Sequence, residues 1–167
     1  MRNRSVVIKG LHHNAYRCRD AEETRRFYED FMGLPLACSL RREETETGEK
    51  TPLIHIFFEM RDGSYLAFFE LPEVPFDFKE QNPSDLHIAL EVDPATQKMY
   101  FEKANELGVG VFGPAQLEYL KSIYFRDPNG YIIELTTKTK GYRDGMDPEK
   151  NHAREVLDQW QADKAGC

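Results

Sequence analysis

Two histidines and two glutamates recur at matching places in the two halves of the sequence. His13 and His87 each stand two residues before an alanine, and Glu70 and Glu134 each end an apolar run and precede a leucine. Imidazole and carboxylate groups together suit a divalent ion such as zinc, nickel, manganese or ferrous iron, and leave positions open for water and substrate. The sequence therefore predicts one divalent metal ion (Fe²⁺, Zn²⁺, Ni²⁺ or Mn²⁺) held by His13, His87, Glu134 and Glu70.

Three further histidines are alternatives for this site. His12 replaces His13 as the ligand if the strand register is shifted by one residue, because side chains alternate between the faces of a strand. His55 and His152 are weaker candidates. The same alternation puts His87 on the face opposite the apolar residues 88, 90 and 92, so we expect it on the concave side of the sheet.

The strands and helices that must position these residues form an internal repeat, with the same order of elements in both halves of the sequence. Each half reads strand, helix and three strands, and the helices begin at Asp20 and Asp93 and end at Gly33 and Gly108. The later strands are predicted at 35–40, 53–60 and 65–71, and again at 109–112, 117–125 and 131–136. This pattern predicts an α+β fold in which two βαβββ modules form a curved mixed sheet around a metal cleft.

The boundaries follow from composition. Residues 1–140 form the main domain, with module one at 5–72, a proline-containing linker at 73–84 and module two at 85–138. The charged segment 41–51 reads as a solvated hairpin. A helical tail occupies 141–167, with a helix from Asp147 through Trp160 that either docks on the surface or covers the site as a dimer contact.

Composition narrows the class of protein. The chain has 167 residues and a net charge of −7, and it lacks the basic surface that nucleic acid binding requires. No apolar run approaches the roughly 20 residues of a membrane helix, so we expect a cytoplasmic protein without a membrane partner. Cys18, Cys38 and Cys167 are an odd, widely spaced set and are expected to be reduced thiols.

Three segments resemble the vicinal oxygen chelate superfamily, which includes glyoxalase I, extradiol dioxygenases, fosfomycin-resistance enzymes and bleomycin-resistance proteins. Together they cover about residues 5 to 138 and specify the superfamily better than the reaction. The segments are Gly10-Leu11-His12-His13-Asn14-Ala15 with Phe27 to Leu34, Asp85-Leu86-His87-Ile88-Ala89, and Tyr124 to Leu135. The resemblance implies that a metal ion binds two neighbouring oxygens of a small substrate and stabilises the charge that develops on them.

Several reactions are compatible with this resemblance. Glyoxalase-I-like proton transfer, a lyase or isomerase reaction, is favoured because Glu70 is present; Glu70 or Glu134 would move the proton and Tyr124 would hydrogen-bond the substrate. Extradiol cleavage of a catechol by ferrous iron is the alternative, although no acid/base histidine stands shortly before Tyr124. A metal-free drug-binding protein is a further alternative. A homodimer is expected, in which the modules pair within a chain or across the two chains.

Overall fold

The structure is a computed structural model that describes residues 8–80 and 82–165. It divides into two units: the described residues up to position 80 with Asp127–Tyr131, and residues 82–126 with 132–165. Each unit contains a four-stranded mixed sheet and a helix, which confirms the α+β class and the βαβββ order of both modules. The predicted start of module one at residues 5–7 and Cys167 lie outside the described residues.

The first unit follows the predicted order. It contains β1 (Tyr16–Cys18), α1 (Ala21–Arg25), a π-helical continuation (Arg26–Phe31), β2 (Leu36–Glu44), β3 (Lys50–Glu59) and β4 (Tyr65–Glu70). The strand order is β1-β4-β3-β2, with β1 parallel to β4 and the other pairs antiparallel. The predicted charged hairpin is confirmed, since β2 and β3 extend to its turn.

The helix of this unit covers one face of its sheet. Asp20 caps the helix by accepting a hydrogen bond from the Glu23 amide at 2.6 Å, as the sequence predicts. Tyr28, fully buried, packs its ring 5.3 Å from Phe58 and 4.8 Å from Phe68. The side of β3 and β4 that carries Phe58 and Phe68 is therefore the helix side, and the alternate residues point the other way.

The second unit repeats this arrangement with a longer helix. It contains β5 (His87–Glu91), α2 (Pro94–Leu107), β6 (Val111–Leu117), β7 (Leu120–Arg126) and β8 (Ile132–Lys138), then α3 (Tyr142–Gly145) and α4 (Ala153–Ala165). The strand order is β5-β8-β7-β6, and β5 is parallel to β8. Asp93 caps α2 through the Thr96 amide, and Gly108 ends it in the left-handed conformation that glycine adopts readily.

A buried glutamine joins α2 to its sheet. The side-chain amide of Gln97 donates to the carbonyl oxygens of Lys121 at 2.7 Å and Leu135 at 2.8 Å. Ile123 of β7 lines a groove together with Gln97 and Phe101 of α2, and it alternates along the strand with Ser122 and Tyr124. Ser122 and Tyr124 therefore face away from α2, on the side of the sheet where the sequence places His87.

Two predicted boundaries are wrong. The strand predicted at 117–125 begins later, at Leu120, because the chain turns between Leu117 and Leu120. This turn contains no glycine or proline, and the Gln116 side chain donates to the Leu120 carbonyl at 3.1 Å across it. The tail helix begins at Ala153 and not at Asp147, whose carbonyl instead closes a turn with the amides of residues 150 and 151. The side chains of 153–164 are exposed, so surface docking of this helix is not observed, and its role as a cover or dimer contact for the site stays a prediction.

The described cysteines agree with the expectation of reduced thiols. Cys18 and Cys38 are free, Cys18 being buried and Cys38 exposed. Burial raises the pKa of the Cys18 thiol to about 12, so it stays protonated at neutral pH. As for membranes, none of the helices in the described part of the chain is long and apolar enough to cross one.

Candidate metal centre

His87 and Glu134 are brought together by two parallel strands. Ala89 pairs with Glu134 across β5 and β8, and His87, two residues before Ala89, lies on the same face. The His87 Nε2 atom is 3.3 Å from Glu134 Oε2, and Glu134 is buried, with 3% of the residue exposed. An imidazole nitrogen and a buried carboxylate oxygen thus face each other on the side of the sheet away from α2.

Hydrogen bonds fix the orientation of both side chains. His87 Nδ1 lies 2.6 Å from the Pro83 carbonyl oxygen, which can only accept, so Nδ1 carries the proton and the Nε2 lone pair points toward Glu134 when the ring is neutral. Glu134 Oε1 accepts a hydrogen bond from the Ser122 hydroxyl at 2.5 Å, and Ser122 also contacts Thr136 Oγ1 at 3.0 Å. The free edge of each group is turned toward the other.

Tyr124 stands beside this pair. It is the cross-strand partner of Glu134 in β7 and β8, so both side chains lie on one face. Burial raises the pKa of the Tyr124 hydroxyl, and the charge of Glu134 raises it further. The phenol is therefore a protonated hydrogen-bond donor at neutral pH.

His13 lies in the first unit, where it forms an isolated parallel bridge with Tyr65. Its ring centroid is 5.5 Å from Phe57 and 6.1 Å from His55, on the sheet face opposite α1. His13 Nδ1 is 2.8 Å from His12 Nδ1, so one ring donates and the other accepts. This contact leaves the Nε2 atoms of both histidines available, and His12 remains an alternative to His13.

Glu70 and His13 lie on opposite faces of the sheet, whereas the sequence predicts both as ligands of one ion. Glu70 pairs with Cys18 in β1 and with Ile54 in β3, and it follows Phe68 by two residues, which places it on the helix side. Its Oε2 atom accepts a hydrogen bond from the Ala21 amide at 2.6 Å, at the beginning of α1. Carboxylates are favoured at this position because helix N-termini carry unpaired amides and partial positive charge.

The two weaker candidates are placed differently. His55 is buried and stacks on Phe69 with 3.6 Å between ring centroids, and its Nε2 atom has no hydrogen-bond partner. Burial and then the neighbouring His13 lower the pKa of His55. His152 precedes α4 in the tail and pairs with Glu155 at 3.2 Å, both exposed. The structure gives His152 no link to the other candidates.

The His87–Glu134 pair fits a divalent ion by the chemistry of its donors. One neutral nitrogen and one carboxylate oxygen, each oriented by a hydrogen bond to its other polar atom, are what metal sites use in proteins. Within residues 8–80 and 82–165 of this chain, no three His, Cys, Asp or Glu side chains are grouped closely enough to hold a metal. A metal held by this pair would therefore require a further group.

Sequence reasoning did not identify the groups that orient these ligands. Ser122 carried a usable signal, because it alternates with Tyr124 on a strand next to Glu134. The Pro83 carbonyl carried none, because backbone groups of a linker are not marked by residue type. The contact between His12 and His13 was visible only as an adjacent pair.

Comparison with known proteins identifies the family. The sequence model of the Glyoxalase/Bleomycin resistance protein/Dioxygenase superfamily matches residues 10–135. The chain belongs to this superfamily. One curated relative is the metallothiol transferase FosB of Shouchella clausii (strain KSM-K16). It is 28% identical to this chain over 142 residues, which cover 82% of this chain and 86% of that protein.

Solved structures of the superfamily show the same fold. The fosfomycin resistance protein FosX from Mesorhizobium loti is 25% identical with a TM-score of 0.59, covering 82% of this chain and 98% of that one. A mutant of FosX from Listeria monocytogenes, complexed with Mn(II) and 1S,2S-dihydroxypropylphosphonic acid, is 23% identical with a TM-score of 0.60 over the same shares.

Proposed function

We propose that this protein is a metal-dependent enzyme that binds one divalent ion through His13, His87 and Glu134 and acts on a small substrate through two neighbouring oxygens. The observation that carries the proposal is the facing pair of His87 Nε2 and Glu134 Oε2, 3.3 Å apart, with Glu134 buried. A buried carboxylate without a cation is costly, and a metal ion would offset that cost. His13 supplies the second imidazole, and Glu70 is left out because its carboxylate accepts a hydrogen bond from the Ala21 amide.

The chain's own residues have defined tasks around such an ion. When bound, the ion would act as a Lewis acid toward negative charge that develops on a substrate oxygen. Ser122 holds Glu134 in place, and the Pro83 carbonyl holds His87. The protonated Tyr124 hydroxyl donates a hydrogen bond to substrate on the same face, where it can stabilise an oxygen as its charge increases.

The reaction that we favour is addition of a thiol or water to a small oxygenated electrophile. This proposal is supported by the similarity to a metallothiol transferase and to fosfomycin resistance proteins. A glyoxalase-I-like proton transfer is less well supported than the sequence suggested, because the Glu70 carboxylate is hydrogen-bonded to the Ala21 amide. Glu134 is then the carboxylate that would move the proton in such a reaction.

Extradiol cleavage of an aromatic ring by ferrous iron is the second candidate. It needs three protein ligands and not four, and Phe112 lies 6.2 Å from Tyr124 by ring centroids on the candidate face. Among the described residues of that face, no histidine occupies a place near Tyr124 other than His87, which we assign to the metal. The reaction therefore lacks the separate acid or base that it would use.

The test is reconstitution of purified, metal-stripped protein with Mn²⁺, Zn²⁺, Ni²⁺ or Fe²⁺ one at a time. We expect at least one ion to raise the melting temperature at micromolar concentration, because a ligand that binds only the folded state stabilises it. The loaded protein is then incubated with fosfomycin and L-cysteine, glutathione or water, with catechol under air as the comparison. Stabilisation by none of the four ions would favour the metal-free binding protein instead.

We also propose a homodimer, as the sequence predicts. Sedimentation at several concentrations measures the oligomeric state. If two chains share each metal site, mixing a His13→Ala chain with a Glu134→Ala chain places both changes in one of the two sites of the mixed dimer. The other site is then intact, so metal binding returns in the mixture although neither variant binds alone. Sites built within one chain would show no recovery.

A further inference from the structure

The second unit contains an apolar pocket on the sheet face that carries His87 and Glu134. Its volume is about 600 Å³, and it lies against β6, β7 and the start of β8. Its lining includes Val111, Phe112, Leu117, Tyr124, Arg126 and Ile132. A pocket of this size accommodates a ligand with a ring or a branched chain, since small-molecule sites are commonly about 300–1,000 Å³.

Strand pairing places two residues of the pocket wall on the same sheet face as His87 and Glu134. Ile132 is the strand partner of His87, and Tyr124 is the strand partner of Glu134, so both wall residues lie on the face of the metal-binding pair. A substrate whose two oxygens lie at His87 and Glu134 would therefore direct the rest of its carbon skeleton along Tyr124 and Phe112.

Most of the pocket lining is apolar. Apart from Tyr124 and the cationic Arg126, the side chains that line the pocket are apolar. A short phosphonate would bring concentrated negative charge and leave most of the apolar wall uncovered, whereas an aromatic or branched aliphatic group would cover that wall. Phe112 is 71% exposed and thus has apolar surface available to such a group.

We propose that the substrate carries an apolar ring or branched chain next to its two neighbouring oxygens, and that Phe112 selects for it. This inference rests on the proposed function, because it takes the His87–Glu134 end as the place where the oxygens bind. It separates this chain from its relatives by substrate: the ligand named for the Listeria FosX structure is a three-carbon phosphonic acid.

The test compares two α-hydroxy acids with the same chelating group, (S)-lactate and (S)-mandelate, which differ in a methyl against a phenyl group. Their affinities for the Mn²⁺-loaded protein are measured by calorimetry, with the metal-stripped protein as the reference. We expect both acids to bind only when metal is present, and mandelate to bind at least about tenfold more tightly because its ring is buried against the wall.

Two variants locate the effect. Phe112→Ala should reduce the preference for mandelate to about threefold or less, because the exposed ring forms part of the pocket wall and is not part of the core. Leu107→Ala is the matched control, since Leu107 is 63% exposed at the end of α2 and lies outside the pocket lining. That control should keep the full preference.

The outcomes separate the two proposals. Equal affinities for lactate and mandelate would overturn the apolar substrate and leave the metal-dependent function standing. Binding of neither acid to the metal-loaded protein would contradict the proposed function itself. Conversion of a dimer to monomers by Phe112→Ala, measured by sedimentation, would assign this face to a second copy of the chain and would also overturn the substrate inference.

Discussion

The two units carry the same sequence signals, but those signals lead to different sites. In the second unit, Glu134 faces His87 and is oriented by Ser122. In the first unit, the matching Glu70 lies on the helix side and accepts a hydrogen bond from the Ala21 amide, while His13 lies on the other side. The repeated motif therefore gives both modules the same order of strands, but the two matching glutamates have different partners.

Strand register explains the difference. Glu134 pairs with Ala89, which stands two residues after His87, and an even separation keeps side chains on one face. Glu70 pairs with Cys18, which stands five residues after His13, and an odd separation puts the side chains on opposite faces. The β1 residue paired with Glu70 is thus Cys18 and not Ala15, the alanine that matches Ala89 in the sequence.

The turns that precede these glutamates also diverge. Asp62 in the first is exposed and bonds the amide and hydroxyl of Ser64. Asp127 in the second is buried and accepts hydrogen bonds from the Tyr28 hydroxyl and from the amides of Asn129 and Tyr131. The second turn is part of the core of the first unit, which makes the two turns unequal in their contribution to stability.

The largest expected effect is on the turn glycines. Gly63 and Gly130 both have positive φ, at 81° and 96°, but a Cβ on Gly63 would meet open space and one on Gly130 would collide with the Lys79 backbone. We expect Gly130→Ala to lower the free energy of unfolding by about 3 kcal/mol or more, and Gly63→Ala by about 1–2 kcal/mol. Urea unfolding measures both; equal losses would contradict the different packing of the two turns.

The glutamates test the comparison most directly. Glu134→Gln removes the proposed metal-binding carboxylate charge and should weaken metal affinity by about a hundredfold, or about 2.7 kcal/mol. Glu70→Gln is the matched control and should change metal affinity by less than about threefold, because the Ala21 amide and not a metal is its partner. Competition with a chelator measures both affinities. A large loss in the Glu70 variant would restore the four-ligand site.

His12 provides a smaller effect in the first unit. His12→Phe removes the partner of His13 Nδ1 and should weaken metal binding by about tenfold, as expected for a residue that orients a ligand. His12→Asn retains an acceptor and should recover most of the affinity. If His12→Phe instead abolishes binding and His13→Phe does not, His12 is the ligand and the register alternative is correct.

The smallest effect is a pH dependence of opposite sign in the two turns. Burial raises the pKa of Asp127, so its contribution to stability is present at low pH and is lost as pH rises through the folded-state pKa. Hydrogen bonds from Ser64 lower the pKa of Asp62, so its contribution is present at neutral pH and is lost as pH falls through the folded-state pKa.

Chemical unfolding between about pH 3 and 6 measures this contrast. At each pH, the free energy of unfolding of each Asp→Asn variant is subtracted from that of the unchanged protein. From low to neutral pH, the free energy of unfolding of the unchanged protein should fall relative to that of Asp127→Asn. Relative to that of Asp62→Asn, it should rise. The same sign for both would mean that burial does not control the ionisation of Asp127.

The sequence was a good guide to the elements and a partial guide to the site. Local signals such as the caps at Asp20 and Asp93 and the stops at Gly33 and Gly108 predicted where the helices lie, because caps act within one turn of chain. The hairpin at Leu117 to Leu120 was missed because its turn has no residue with a special backbone preference. The start of the tail helix was misplaced because Asp147 closes a turn instead of a helix.

What the sequence alone determined is the repeated βαβββ order, the superfamily resemblance and the choice of His87 and Glu134 among four candidate ligands. These follow from periodicity and residue type, which the chain carries locally. Only the tertiary structure decided that Glu70 accepts a hydrogen bond from the first amide of α1, that Ser122 and the Pro83 carbonyl orient Glu134 and His87, and that an apolar pocket lies on the same face as these two side chains. The physical reason is register: one residue of slip between paired strands reverses a side chain's face, and no local pattern records the partner's position.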